Sequence, residues 1–355
     1  MIDFFGAGFD VAERMGLLPT IERKGYRVQE IRVVDGEGRR VAGFAADTFF
    51  RVARGRYTSL PRGELAASIF GAIAGRVEII FGDSVARIEQ SRRCVHVGFE
   101  HGPDRDFELV VGADGLHSNV RMLVHGAESR FERYLGYRVA AFEATGYRPR
   151  DELAYVMYTQ VGQQVSRFTM RDDRTMFLFI FRDESPDRAD HGVPAQKARL
   201  RTRFARGGWE CAQILDALDA SPDLYFDRVS QIRMDPAQGL WTRGRITLVG
   251  DAACCVSLLA GQGSALAMVA AYILAGELHR ARGDYARAYE RYQELLGPFV
   301  AGKQQAARRF AGYFAPRSKL SLFLRNQVMN LMTIPWIADR VVVRDMVDQI
   351  ELPRY

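Results

Sequence analysis

The chain has 355 residues, of which 48% are hydrophobic and 26% are charged, and its net charge at neutral pH is +6. These values are typical of a folded globular protein long enough for two domains, and they exclude an intrinsically disordered chain. The basic residues are scattered and are not interleaved with aromatic residues, so the sequence predicts no nucleic-acid partner.

The cysteines favour a reducing environment. Cys94, Cys211, Cys254 and Cys255 form no C-x-x-C pair and have no metal-ligand spacing, so we predict free thiols and no metal site. The first residues lack the basic segment and the cleavage site of a secretory signal peptide. Together these features predict a cytoplasmic protein.

The first segment, MIDFFGAGFDVAERMGLLP, contains a glycine pair that resembles the start of a dinucleotide-binding loop. A complete G-x-G-x-x-G loop follows a buried strand and carries a third glycine, but Val11 stands at that third position. The residues before Gly6 are too few for a central strand. We therefore predict that Gly6 and Gly8 form a turn before a short helix at 10–15.

Strand and helix patterns then alternate. Residues 27–50 predict two strands around a glycine turn, and residues 60–73 predict a helix because apolar side chains recur at helical spacing. Further strands are predicted at 77–90, 93–102 and 106–115. This alternation indicates an α/β layer.

The pattern next becomes β-rich. Apolar and polar residues alternate over residues 151–183, which predicts an antiparallel sheet. Residues 196–220 predict a helix and residues 224–234 another strand, before a buried strand and turn at 244–253. From Gly261 onward the chain is predicted to be mainly helical. We infer an α/β domain interrupted by a β-rich insertion, an arrangement that places a ligand between the two parts.

Two segments are candidates for membrane contact. Residues 252–276 carry no charge and are long enough to span a bilayer, but the loop 261–264 (GQGS) in their middle is unsuited to a helix centre in lipid. We predict a buried loop and helix there, and no stable membrane insertion. Residues 319–337 are amphipathic, which is compatible with a membrane surface, but we favour their packing against the α/β domain.

Two glycine-containing turns stand out as candidate ligand sites. The first, at residues 112–121 (GADGLHSNVR), places Asp114 among small residues at a strand end and Ser118 where it can cap the following helix. A plain strand–turn–helix junction explains this stretch equally well.

The second turn, at residues 250–253 (GDAA), follows the predicted strand RITLV. Ligands of open α/β sheets lie at the carboxyl ends of strands, where Asp251 is able to accept a hydrogen bond from a sugar hydroxyl. The loop 261–264 then leads into a helix N-terminus, whose free N–H groups and dipole favour negative charge on a ligand.

Together the two turns resemble motifs of the class A flavoprotein monooxygenases, the family of para-hydroxybenzoate hydroxylase and the tetracycline-inactivating monooxygenases. The family pattern G-A-D-G-x-x-S-x-V-R is matched at 112–121, G-D-A-A at 250–253 and G-Q-G at 261–263, in the family's order and spacing. The resemblance covers nearly the whole chain. It implies an α/β fold in which a truncated FAD-binding Rossmann-like domain is interleaved with a β-sheet substrate domain and followed by C-terminal helices.

The resemblance also implies domain limits. FAD-binding segments are expected at 1–26 (a remnant), 56–135 and 236–285, substrate-domain segments at 27–55 and 136–235, and a helical region at 286–355. In the family, a βαβ unit of about 30 residues with a G-x-G-x-x-G loop precedes the segment that Met1 begins here. We therefore expect FAD binding to be weak or lost in the 355-residue form.

The resemblance implies roles for individual residues. Arg62 resembles the family arginine that approaches FAD, and Asp251 the aspartate that holds ribityl or ribose hydroxyls. The backbone amides that face the flavin ring correspond to those of Gly261, Gln262, Gly263 and Ser264. Asp114 and Arg121 resemble residues that reach the cofactor phosphates and NAD(P)H, although a purely structural ion pair is equally compatible with Arg121.

Substrate contacts are less sharply defined. Cys254 and Leu258 stand where many relatives carry His and Pro on the flavin and substrate side. Met157, Phe168 and Phe179 are candidates for an apolar pocket wall, although at least half of such residues belong to the core. No side chain stands out as a catalytic base.

The implied activity is FAD- and NAD(P)H-dependent hydroxylation of an aromatic or polyketide-like small molecule, in which O2 adds to the reduced flavin to give a C4a-hydroperoxide. A second hypothesis stays open. The chain would then be a non-catalytic, flavin-poor remnant of the family that only binds a small molecule.

Overall fold

The computed structural model of the chain describes residues 1–185, 192–334, 336–337 and 350–355. Its strands are β1 (Ile2–Phe5), β2 (Glu30–Val34), β3 (Arg40–Ala45), β4 (Tyr57–Leu60), β5 (Val85–Gln90), β6 (Val95–Phe99), β7 (Arg105–Phe107), β8 (Val110–Gly112), β9 (Glu132–Thr145), β10 (Ala154–Gln160), β11 (Gln163–Thr169), β12 (Arg174–Arg182), β13 (Tyr225–Ile232), β14 (Thr242–Arg243) and β15 (Ile246–Leu248). Its α-helices are α1 (Ala7–Arg14), α2 (Leu18–Lys24), α3 (Asp47–Val52), α4 (Arg62–Ile73), α5 (Asn119–His125), α6 (Val193–Phe204), α7 (Cys211–Ala220), α8 (Asp251–Cys254), α9 (Gly263–Arg280), α10 (Tyr285–Phe314) and α11 (Lys319–Leu331).

A seven-stranded sheet forms the β-rich part, in the order β13-β9-β12-β11-β10-β2-β3. Neighbouring strands are antiparallel except β10 and β2, which run parallel. One face is covered by α6 and α7, and there the ring of Phe179 lies 4.8 Å from that of Phe204. The alternation of apolar and polar residues predicted this sheet, because residues two apart along a strand share a face.

Outside the seven-stranded sheet, the remaining strands form three smaller sheets. Strand β15 pairs parallel with β8, strands β5, β6 and β7 form an antiparallel sheet, and β1 pairs antiparallel with β4. Helix α9 packs against both α1 and α10. The largest hydrophobic cluster lies among these helices and β15, so the mixed α/β class and the helical C-terminal part are confirmed.

Several predicted boundaries are wrong for identifiable reasons. Helix α1 begins at Ala7 instead of at residue 10, because Gly6 has a φ of +65° and its carbonyl accepts from the Phe9 and Asp10 amides. Residues 47–52 form helix α3 and do not continue the preceding strand.

The helix predicted at 196–220 is broken in two by Gly207 and Gly208. A Cβ on Gly208 would lie 2.6 Å from Cα of Gly36, so the break brings two backbones into contact. Residues 77–81 belong to no strand in the part of the chain that the structure describes, and Phe81 there is 78% exposed.

No helix within the described residues combines the length and apolar composition that a transmembrane span requires. Helix α9 covers most of the charge-free stretch 252–276 and packs inside the protein, as the sequence predicts. Helix α11 packs on β3, an edge strand of the seven-stranded sheet, rather than broadly on the α/β part.

Candidate functional site

The two glycine-containing turns lie side by side. Leu248 of β15 is in register with Gly112 of β8, and the Val249 amide donates to the Gly112 carbonyl at 2.9 Å. Because both strands are parallel, both turns emerge at the same edge of the sheet. This edge is where ligands of α/β proteins bind.

Asp251 lies at the centre of this edge. It opens helix α8 directly after Gly250, whose φ is +63°. Its Oδ2 lies 4.0 Å from Nη2 of Arg62, the first residue of α4. Burial raises the pKa of the Asp251 carboxyl, while the Arg62 charge and the Cys255 thiol act in the opposite direction. The carboxylate is therefore poorly solvated, and a hydroxyl donor from a ligand would stabilise it.

The loop at residues 261–264 faces the same carboxylate. Gly261 has a φ of +66°, and nothing lies within 4 Å of a Cβ built on it. A Cβ on Gly263 would lie 3.6 Å from Oδ1 of Asp251. The side chain of Gln262 does not cap helix α9, so the first backbone amides of α9 are available to a ligand. An open loop at the positive end of an 18-residue helix fits the anionic edge of a reduced flavin.

The glycine pair of the first segment has a packing function. A Cβ on Gly8 would lie 2.4 Å from Cβ of Ala265, so only glycine allows the first turns of α1 and α9 to meet. Gly6 provides the left-handed turn before α1. The predicted turn is therefore correct for Gly6, whereas Gly8 lies in the first turn of helix α1. The described residues contain no G-x-G-x-x-G loop for a pyrophosphate.

Asp114 and Ser118 organise the start of helix α5. The Ser118 hydroxyl accepts from the Arg121 amide at 2.9 Å, which confirms the predicted cap. The Asp114 carboxylate accepts from the Ser118 hydroxyl and, at 2.9 Å, from the Val120 amide. Asp114 is also exposed to solvent, so its predicted contact with the cofactor stays a prediction.

Arg121 joins the two turns from inside the protein. Its side chain is fully buried and donates to the carbonyls of Ala252 and Leu116 at 2.9 and 2.7 Å and to the Glu128 carboxylate at 3.0 Å. These contacts favour the structural alternative for Arg121. Burial lowers the pKa of the guanidinium and Glu128 counteracts it, so the ion pair retains the charge.

His117 lies in the first glycine-containing turn, and sequence reasoning did not single it out. Its Nδ1 lies 3.1 Å from Glu128 and its Nε2 lies 3.3 Å from Asp227 of β13, which also accepts from the Tyr225 hydroxyl. Asp227 and Glu128 raise the pKa of His117 to about 9. His117 occupies a variable position of the first motif, and only the tertiary structure brings Asp227 to it.

The predicted substrate wall is divided. Met157 and Phe168 share one face of the seven-stranded sheet, because Phe168 is in register with Tyr155. Phe179 lies on the opposite face, where it is fully buried beneath α6. It therefore cannot form a common wall with the other two.

Cys254 and Leu258, the two candidates that follow the GDAA turn, differ in their exposure to solvent. Cys254 is 1% exposed and packs in the main core, where burial raises the pKa of its thiol. Leu258 is 39% exposed, and the neighbouring Leu259 packs against the sheet. Leu258 is the more accessible candidate for a ligand contact.

A polar cluster joins strands β1 and β4. The Asp3 carboxylate accepts from the Tyr57 hydroxyl at 2.8 Å and from the Ser59 hydroxyl. Burial raises the pKa of Tyr57 well above its ordinary value, and Asp3 adds to the effect. The β1–β4 pairing creates this cluster, and no sequence motif indicated it.

Comparisons with known proteins agree with this geometry. The family described as FAD binding domain matches residues 9–290. An uncharacterized protein of Mycobacterium tuberculosis is 38% identical over 310 residues, which cover 85% of this chain and 81% of that protein. A flavin-dependent monooxygenase of Legionella longbeachae is 30% identical over all of this chain and 88% of its own length.

Among solved structures, the tetracycline destructase Tet(51) superposes with a TM-score of 0.82 at 31% identity. The superposition covers 100% of this chain and 88% of that protein. The range matched by the family, residues 9–290, spans both glycine-containing turns, Arg62 and the start of α9. This chain therefore belongs to the family of FAD-dependent monooxygenases that contain the FAD binding domain.

Proposed function

We propose that this chain catalyses NAD(P)H-dependent hydroxylation of an aromatic or polyketide-like small molecule with FAD as cofactor. The observation that carries the proposal is the convergence of Arg62, Asp251 and the loop 261–264 at one sheet edge. The similarity to Tet(51), a tetracycline destructase, supports a polyketide-like substrate.

The residues present fit the flavin half of the cofactor. Bound FAD would supply the activation of O2 for transfer to the substrate. Asp251 would accept a hydrogen bond from a ribityl hydroxyl, and Arg62 would add positive charge beside it. The α9 amides would stabilise negative charge at the ring edge. Leu258 and Met157 would exclude water from the substrate side.

The residues present fit the pyrophosphate half poorly. Within the described residues β8 forms an open edge of its three-stranded mixed sheet, and Val111 there is 44% exposed. The described residues contain no G-x-G-x-x-G loop, and the glycine-containing N-terminus of α9 faces Asp251 on the flavin side. We therefore propose that the 355-residue chain binds FAD weakly. The poor fit to the pyrophosphate half is also the observation that favours the second candidate, a flavin-poor binding protein.

One titration separates the two candidates. Purified protein is titrated with FAD while flavin fluorescence is recorded, and NADH or NADPH oxidation is then measured at saturating FAD with and without tetracycline. We expect weak, saturable FAD binding and faster NAD(P)H oxidation when an accepted substrate is added. A protein that retains FAD through gel filtration would contradict weak binding, and a protein without saturable FAD binding would contradict the enzyme.

A further inference from the structure

Helix α11 presents an apolar stripe to solvent. The exposed side chains recur at helical spacing on one side of the helix and are Leu320 (66% exposed), Phe323 (57%), Leu324 (54%), Val328 (46%) and Leu331 (47%). Trp336, shortly after the helix, is 70% exposed. A contiguous exposed apolar surface of this kind marks an interaction site in soluble proteins.

The opposite side of α11 packs on the protein through polar and apolar contacts, which fix the stripe outward. Arg325 is 6% exposed and donates to the Thr159 hydroxyl at 3.1 Å. The Asn330 side chain accepts from the Gly43 amide at 3.2 Å, on the edge strand β3. Met329 is buried beside these groups. Rotating the helix to bury the stripe would break these buried hydrogen bonds, so the stripe faces solvent in the folded chain.

All the charged residues between positions 295 and 337 are basic. Residues 295–337 contain six basic residues and no acidic residue. Their summed charge of +6 equals the net charge of the whole chain. The six are Lys303, Arg308, Arg309, Arg317, Lys319 and Arg325. Among them Arg308, Arg317 and Lys319 are exposed, and the last two lie at the start of α11. Positive charge therefore flanks the apolar stripe at the start of α11.

We propose that α11 docks this protein on an anionic membrane surface. An interfacial helix buries an apolar stripe at the level of the lipid headgroups, while adjacent Lys and Arg side chains bind anionic headgroups. Tryptophan prefers the same interface, which suits the exposed ring of Trp336. The protein lies on the membrane in this arrangement and does not cross it.

The charges favour a lipid surface over a second copy of the chain. In a two-fold dimer α11 would face an identical helix, which carries no acidic residue, so Arg317 and Lys319 would gain no opposite charge there. An anionic surface, in contrast, offers opposite charge to these two residues and an apolar layer to the stripe.

Vesicle sedimentation tests the proposal with the intact chain. The protein is mixed with vesicles of phosphatidylcholine alone or with about one third phosphatidylglycerol, and Trp emission is recorded in parallel. We expect sedimentation with the anionic vesicles, a blue shift of the emission, and loss of binding in high salt because anionic headgroups are screened. Equal binding to both vesicles, or no binding to either, would overturn the proposal.

Surface variants locate the contact. Phe323→Ser with Leu324→Ser should weaken binding at least tenfold, since each removes an apolar group from the interface. Arg317→Ser with Lys319→Ser should weaken it by about 30-fold. Phe81→Ser and Arg87→Ser are matched controls, because both side chains are exposed on other surfaces.

The controls should bind as the parent does, and all variants should retain the circular dichroism spectrum and melting temperature of the parent. Controls that weaken binding as much as the α11 variants would place the contact elsewhere. A dimer in sedimentation equilibrium that the α11 variants dissociate, without vesicle binding, would identify a protein interface instead and overturn the proposal.

Discussion

Nη2 of Arg62 lies 4.0 Å from Oδ2 of Asp251, although the Arg62 side chain is 60% exposed and that of Asp251 only 23%. An ion pair of this length with one exposed partner adds little to folding stability. Burial meanwhile raises the pKa of Asp251, so its ionised form is disfavoured in the protein without ligand. The pair is therefore better suited to holding a ligand than to stabilising the fold.

Asp251→Asn should distinguish a role of Asp251 in ligand binding from a role in folding stability. The variant removes an ionised acceptor, so we expect FAD affinity to fall by about tenfold or more. It also removes a buried carboxylate with a raised pKa, so the melting temperature at neutral pH should stay equal or rise by about 2 °C. Fluorescence titration with FAD and thermal denaturation measure both. The control is Asp104→Asn, which lies in an exposed ion pair with Arg87 and should leave FAD affinity unchanged. Lower stability together with unchanged affinity would assign Asp251 a structural role.

Gly8→Ala tests the close contact of α1 with α9. The added Cβ would lie 2.4 Å from Cβ of Ala265, so the helices must separate, and we expect a loss of about 1–3 kcal/mol in the free energy of unfolding. Gly71→Ala is the matched control, because it lies within α4 with nothing within 4 Å of the new Cβ. There alanine should stabilise the helix by up to about 1 kcal/mol. Urea denaturation measures both, and equal stability of Gly8→Ala and the parent would refute the packing role.

Local patterns predicted the parts of the site that depend on short-range geometry. The turns at 112–121 and 250–253 follow strands as expected, and Ser118 caps α5, because strand ends and helix caps are set by neighbouring residues. The family motifs likewise indicated the correct fold.

Contacts between distant segments were beyond sequence reasoning. The His117–Asp227 contact spans 110 positions and has no motif. The face of the sheet on which Phe179 lies depends on strand register, and a shift by one residue reverses it. The outward stripe of α11 depends on Arg325 and Asn330, whose hydrogen-bond partners Thr159 and Gly43 lie in β10 and β3.

Phe179→Ala and Leu258→Ala should have opposite consequences. Phe179 is fully buried beneath α6, so truncation should cost about 3–5 kcal/mol of stability and change KM little in protein that remains folded. Leu258 is 39% exposed, so its truncation should change stability by less than about 1 kcal/mol while raising the KM for the substrate. Urea denaturation and steady-state NAD(P)H oxidation at saturating FAD distinguish these effects. If Phe179→Ala changed the KM for the substrate and Leu258→Ala did not, Phe179 would be assigned to the pocket wall.

The His117 contacts predict a pH-dependent contribution to stability. His117 has a pKa of about 9 in the folded chain against an ordinary value of 6.5, since Asp227 and Glu128 stabilise its charged form. A raised pKa contributes stability that is complete below pH 6.5 and disappears as the pH rises through about 9. The side chain is half exposed, so solvent screening reduces this contribution to about 1 kcal/mol.

Urea denaturation of the parent and His117→Gln at pH 6 and above pH 9 measures that difference. The variant should be less stable at pH 6 and equal to the parent at the higher pH. His96→Gln is the control, because His96 also lies between two aspartates, at 2.8 and 3.2 Å, but both lie within ten positions of it, so part of their attraction remains in the unfolded chain. It should show a smaller change. A loss of stability in His117→Gln that is the same at both pH values would contradict this prediction. The ring would then contribute through packing, and its positive charge would not stabilise the contact with Asp227 of β13.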